Sequence, residues 1–252
     1  MTLTPVAFLI VCPMLFLAGL VDSIGGGGGL ISLPAYLFAG LPAHAAIATN
    51  KMSSTFGTSV ATVRFARNGL IDLKLAIPAV LCAILGSSAG ARISLMLSEQ
   101  VIRNMLIAVL PLAAFVVLNR HLFSDQGADH VTYDRRTYLT ACLAALIIGM
   151  YDGLYGPGTG TFLIIAFTAF AKLNLSCANG QAKAINLTTN ITSLVIFFLN
   201  GQVIVPLGLA AAVCNMAGNY VGSGLAMKNG SRIVRPVILG VLALLLVKLI
   251  TD

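Results

Sequence analysis

Charged side chains are scarce in this sequence: 9% of its 252 residues are Asp, Glu, Lys or Arg, against about 25% in soluble domains. That scarcity excludes a water-soluble globule. Histidine is nearly absent, with three in the chain, and no HExxH motif, Cys–His cluster or Gly-x-Ser-x-Gly elbow occurs, so neither an enzyme nor a metal or cofactor site is expected. A nucleotide loop of the GxxxxGK[ST] kind is missing too. The five cysteines, Cys12, Cys82, Cys142, Cys177 and Cys214, show no CxxC spacing and read as small core residues. No Lys or Arg precedes the first apolar run, so residues 1–24 read as a membrane segment rather than a signal peptide.

What is present is apolar chain. Hydrophobic residues make up 58% and the mean hydropathy is +0.96. At roughly 20 apolar residues per crossing, the length accommodates about eight to ten spans with short connections. The lipid bilayer is the expected surrounding. The net charge of +7 follows from the excess of Lys and Arg in cytoplasmic loops and calls for no nucleic-acid partner.

The chain repeats itself. AGLVD at 18–22 matches IGMYD at 148–152, an offset of 130. From Lys51 onward the offset is 132: Lys51 matches Lys183, Gly86 and Gly90 match Gly218 and Gly222, and Arg103 matches Arg235. Each half reads as about five apolar segments, roughly 5–24, 29–41, 44–66, 74–97 and 100–118, then 138–155, 157–171, 176–200, 203–227 and 232–250. The second segment of each half is too short for an upright span and reads as a half-helix, thin span or re-entrant arm. The division is thus a first transmembrane repeat at 1–118, a cytoplasmic linker at 119–137 and a second repeat at 138–252. The linker holds His121 and His130.

Counting Lys and Arg near segment ends puts Arg64, Arg67, Lys74, Arg120, Arg135, Arg136, Lys172, Lys228, Arg232 and Arg235 on one side. Each half then crosses an odd number of times and the halves are inverted. Both termini are expected on the periplasmic side. The expected fold is all-α and polytopic, two inverted repeats with helices broken at the glycine-rich motifs. Inverted repeats suit a transporter, because exchange of conformation between related halves opens a midplane site to alternate sides.

Two features mark the substrate site. Asp22 is followed by five glycines at 25–29, and Asp152 by Gly156, Pro157, Gly158, Thr159 and Gly160. Such runs break helices, and the next half-helix points amide N–H groups and a positive dipole end at a ligand. Gly26, Gly27, Gly28, Gly156, Gly158 and Thr159 are therefore candidate anion contacts. The third segments supply a polar stripe at i, i+3 and i+7: Lys51, Ser54 and Thr58, matched by Lys183, Asn186 and Asn190. Thr49, Asn50 and Gln181 add polarity beside the lysines. A membrane-centre lysine costs about 2.5–3.5 kcal/mol to insert, so each needs a partner. Asp22 and Asp152 are the carboxylates well inside apolar segments. They serve either as ion-pair partners or as carriers of a coupling proton, and the sequence leaves both roles open. Gly86, Gly90, Gly218 and Gly222 read as close-packing faces. His44 has no counterpart and reads as an interfacial residue.

DSIGGGGGLI (22–31), ATNK (48–51), YDGLYGPGTG (151–160) and AKAIN (182–186) together resemble the TauE/SafE family of sulfite and organosulfonate exporters. The resemblance covers nearly the whole chain. One departure is the first glycine run, where an alanine is expected among the five glycines. The resemblance implies transport of small oxyanions or sulfur-containing organic anions, such as sulfite or sulfonates, across the bacterial inner membrane. A cation- or proton-linked carrier built on Asp22 and Asp152 is the alternative. A homodimer and a monomer are both compatible with the sequence.

Overall fold

A computed structural model describes residues 5–105, 108 and 134–229. The described residues contain no strand. In chain order the helices are α1 (Pro5–Gly25), α2 (Gly29–Phe38), α3 (Ala43–Arg67) and α4 (Leu73–Met96), then α5 (Arg135–Leu154), α6 (Thr159–Ala169), α7 (Leu175–Leu199) and α8 (Val205–Asn229). Residues 99–105 are also helical. Lengths of 21, 10, 25 and 24 residues are followed by 20, 11, 25 and 25. The expected fifth segment of each half lies largely or wholly outside the described residues, as do His121 and His130.

Four of these helices, α1, α4, α5 and α7, are long and apolar enough to cross a bilayer. Large apolar side chains such as Leu85 and Val213 stand on the outer surface, 66% and 67% exposed, where lipid rather than water suits them. The buried polar residues are drawn inward instead, above all on α3 and α7. The chain is an all-helical polytopic membrane protein.

Local chemistry sets the helix ends. Asp72, Asp134 and Asn174 each accept a backbone N–H at 2.8 Å at the start of α4, α5 and α7, satisfying donors that have no partner inside the helix. The Asp134 cap makes α5 begin at Arg135, within the stretch expected to be linker up to residue 137. In front of α3 stands Pro42, which has no side-chain donor or acceptor to offer. That cap comes from Glu99, whose carboxylate accepts the Ala43 and His44 amides and the His44 ring Nδ1. His44 therefore sits at the start of α3, bonded to that cap.

The glycine faces bring backbones together. A Cβ on Gly86 would lie 2.1 Å from the Leu146 carbonyl oxygen, and one on Gly90 2.0 Å from that of Met150. The same holds for Gly218 against Phe16 and Gly222 against Leu20. Because successive glycines meet successive turns in the same order, α4 runs parallel to α5 and α8 runs parallel to α1. Gly208 lies against Met52 and Thr49, and Gly57 against Asn215, so α3 also runs with α8. A short turn reverses α3 into α4. Consequently α1 and α5, which occupy matching places in the two halves, point in opposite directions. Arg64, Arg67, Lys74, Arg135, Arg136 and Lys228 fall at one end of this assembly.

The cysteines join the same contacts. Cys12 on α1 lies beside Cys214 on α8, and Cys82 on α4 beside Cys142 on α5. All five cysteines are half-buried, so they sit at helix seams rather than deep in the core.

Candidate functional site

The two glycine breaks meet at the centre. Gly26 and Gly156 take φ of +80° and +101°, a region where any side chain is strained. A Cβ on Gly26 would lie 2.2 Å from the Gly160 carbonyl carbon. The hydroxyl of Thr161 donates to the Gly25 carbonyl at 2.7 Å, tying one break to the other. Gly158, at φ +81°, starts α6. Gly28 starts α2 in ordinary right-handed geometry, so the two breaks are alike in place and different in detail.

Each lysine reaches the aspartate of the other half. Lys51 Nζ donates to Asp152 Oδ2 at 2.7 Å, and Lys183 Nζ donates to Asp22 Oδ2 at 2.8 Å and to the Asp22 carbonyl. All four side chains are well shielded, at 2%, 3%, 0% and 13% exposure for Lys51, Asp152, Lys183 and Asp22. A buried pair of this kind contributes little net stability, because desolvation offsets the attraction, yet removing one partner costs about 3–5 kcal/mol. The pairs therefore fix geometry: each clamps a glycine break to the long polar helix opposite.

They do so at two depths. Thr62 on α3 donates to the Lys183 carbonyl at 3.2 Å, and Thr62 lies eleven residues beyond Lys51, about 16 Å at 1.5 Å per residue. The two clamps thus flank a central space rather than sharing one level.

A small cavity occupies that space. Asp22, Lys51, Ser54, Thr58, Asp152, Asn186 and Asn190 line it, with Gly26, Gly28, Gly156 and Thr159 from the breaks. Its volume is about 20 Å³, room for roughly one water. Three expected contacts stand back from it: Lys183 is reached through Asp22, while Gly27 and Gly158 are buried behind the lining. Within the lining, Asn190 Nδ2 donates to the Asn186 carbonyl and to Asn186 Oδ1, and Ser54 leans on Asn50 Oδ1. Thr159 donates to Asp152 Oδ1 at 2.7 Å and to the Gly156 carbonyl at 2.8 Å.

Sequence reasoning passed over Ser32 and Asn215, named Gly29 and Gly160 only as members of the glycine breaks, and used Asn50 only as a source of polarity; all five line the cavity. Ser32 is 2% exposed and its hydroxyl has no hydrogen-bond partner. A single serine in an apolar half-helix gives no pattern to find. Asn215 did leave a signal, since it and Asn219 are amides one turn apart in an apolar segment. Its partner at offset 132 is Ala83, so a search for matched positions misses it. No group of three or more His, Cys, Asp or Glu suited to a metal occurs among the described residues.

Residues 11–249 match the family model described as sulfite exporter TauE/SafE. The chain belongs to the TauE/SafE family. It is 34% identical over 247 residues to a probable membrane transporter protein of Sinorhizobium, ORF9, covering 98% of this chain and 92% of that one. It is also 34% identical over 239 residues to the probable membrane transporter protein YfcA of Escherichia coli, covering 94% and 87%. At 23% identity over 218 residues it is similar to the probable membrane transporter protein YdhB of Bacillus subtilis. No solved structure matches. This TauE/SafE protein is a membrane transporter.

Proposed function

We propose that the protein is a secondary transporter that carries a small anion, sulfite, a sulfonate or a related sulfur-containing organic anion, across the bacterial inner membrane by alternating access. The observation that carries this reading is the meeting of two helix starts and two cross-half lysine–aspartate pairs around one polar cavity. Helix N-termini favour negative charge. Gly28 and Gly29 of one, and Thr159 and Gly160 of the other, line the same space. Hydroxyls and amides of Ser54, Thr58, Asn186 and Asn190 can donate to oxyanion oxygens, and Lys51 and Lys183 supply positive charge once their carboxylates let go.

At about 20 Å³ the space has room for roughly one water, less than a sulfur oxyanion needs, so the lining must part to admit one. Opening to either side requires one of the two flanking clamps to part. The opposed directions of α1 and α5 support exchange of conformation between halves. The gathering of basic residues at one end supports a cytoplasmic placement of that end, hence periplasmic termini.

A cation carrier built on Asp22 and Asp152 is less favoured by the geometry, because each carboxylate already holds an ammonium group. The test is radiolabelled uptake into proteoliposomes of sulfite, sulfate, thiosulfate and two- or three-carbon sulfonates, with and without a pH gradient. Saturable uptake of a sulfur oxyanion, lost in Lys51→Met and Lys183→Met, is expected. A carrier that moves none of them, or that keeps its flux without the lysines, contradicts the reading.

A further inference from the structure

The two clamps are not chemically equal. Asp152 is held on both oxygens, by Lys51 on Oδ2 and by the Thr159 hydroxyl on Oδ1. At the position matching Thr159, offset by 130, stands Gly29, so Asp22 has no equivalent hydroxyl. Nor is there room for one as the helices are packed, since a Cβ on Gly29 would lie 2.9 Å from Pro157 Cα. Both aspartates line the cavity, but 13% of the Asp22 side chain is exposed against 3% for Asp152. This inequality is written in the sequence, so an exchange of conformations between the halves does not reverse it.

The charge of the site makes the difference matter. Two ammonium groups and two carboxylates sum to zero, and a monovalent anion entering that balance leaves a buried negative charge. Protonating one carboxylate first leaves a charge of plus one, which the anion then neutralises. The charged groups near Asp22 are Lys183 on α7, and across the cavity Lys51 on α3 and Asp152 on α5; α2 and α8 present the neutral Ser32 and Asn215. Resting on the anion reading, we propose that each monovalent anion crosses with one proton, and that Asp22 alone carries it. The proton binds the Asp22 carboxylate, the Lys183 ammonium is released as counter-charge for the anion, and the Lys51–Asp152 pair stays ionised and closed to protons.

Labelled 2-hydroxyethanesulfonate in proteoliposomes tests this, because its single negative charge does not change across the physiological pH range. Wild-type uptake is expected to be stimulated by an inwardly directed proton gradient and to be indifferent to membrane potential, one proton cancelling one charge. Asp22→Asn is expected to lose the stimulation, whereas Asp152→Asn, at reduced rate, keeps it. Exchange of labelled for unlabelled sulfonate needs no net proton movement and separates a decoupled carrier from an unfolded one. Should Asp22→Asn show no exchange, Asp22→Glu decides, since it must move the pH midpoint of uptake while Asp152→Glu does not. Stimulation that survives Asp22→Asn, that disappears equally in Asp152→Asn, or that is missing in the wild type while anion still flows overturns the proposal and leaves the anion reading standing. Absence of both sulfonate and sulfite flux in the wild type overturns the anion reading itself.

Discussion

The two halves of the molecule use one plan and finish it differently. In both, a long helix ends at a glycine break, a half-helix of 10 or 11 residues follows, and a 25-residue polar helix sends a lysine across to the other half's aspartate. The second half adds a threonine hydroxyl beside its aspartate and caps its polar helix with its own Asn174. The first half has a glycine at the matching position and borrows a cap from Glu99, 56 residues downstream of Ala43. The lesson is that duplicated scaffolding can hold two matching ion pairs in unlike surroundings, one aspartate bonded on both oxygens and the other more exposed, although both line the cavity.

The largest expected break in that comparison comes from the lysines. Lys51→Met leaves Asp152 buried without its cation and should cost about 3–5 kcal/mol of stability, measured by thermal unfolding in detergent. Asp152→Asn in the same chain should restore most of it. Lys183→Met should cost less, because the Asp22 side chain is 13% exposed against 3% for Asp152. Equal losses in the two variants would remove the asymmetry argued from exposure and from Thr159.

Much of this was legible before any coordinates. The offsets of 130 and 132 placed the repeated glycine motifs, lysines and close-packing glycines in register, because backbone breaks and buried charges tolerate few residue types and so leave a readable trace. Asp22 and Asp152 were recognisable as the partners of Lys51 and Lys183. That each pair crosses between halves, and at different depths, was not, since it depends on which helices lie side by side. Ser32 escaped for another reason: a single neutral polar residue among apolar ones has no periodicity, and only the converging helices reveal where it points; Asn215, one turn from Asn219, escaped because its match in the first half is Ala83. The early start of α5 at Arg135 reflects a cap by Asp134 that looked like linker charge.

A smaller effect is expected at Thr159. Thr159→Val removes the hydroxyl from Asp152 while keeping the shape, and should cost about 1.5–3 kcal/mol as the loss of a hydrogen bond to a charged group. It should also make Asp152 resemble Asp22, so that proton-driven uptake gains a second pH-sensitive step in flux measurements.

The smallest effect lies at the helix starts. Burial raises the Glu99 carboxyl, but hydrogen bonds from His44 and from the Ala43 and His44 amides outweigh it and hold the group below the ordinary carboxylate range. A carboxylate with a depressed folded pKa stabilises fully above its unfolded pKa, and that contribution is lost as pH falls through the folded value. The start of α3 should therefore loosen in acid while that of α7, capped by the neutral Asn174, does not. Charge at a helix N-terminus is typically worth about 0.3–1 kcal/mol, so hydrogen exchange at the two starts, compared between the wild type and Glu99→Gln, is the suitable measurement.

The central claim is that the space between the two clamps is the anion's path. Its most direct test is thiol labelling of Ser54→Cys and Asn190→Cys, each in a chain lacking the five native cysteines, with a membrane-impermeant reagent applied from one side at a time. Both positions are expected to react from either side, and a transported sulfonate is expected to protect them. Reaction from neither side, or labelling that a transported anion leaves unaffected, would contradict the account.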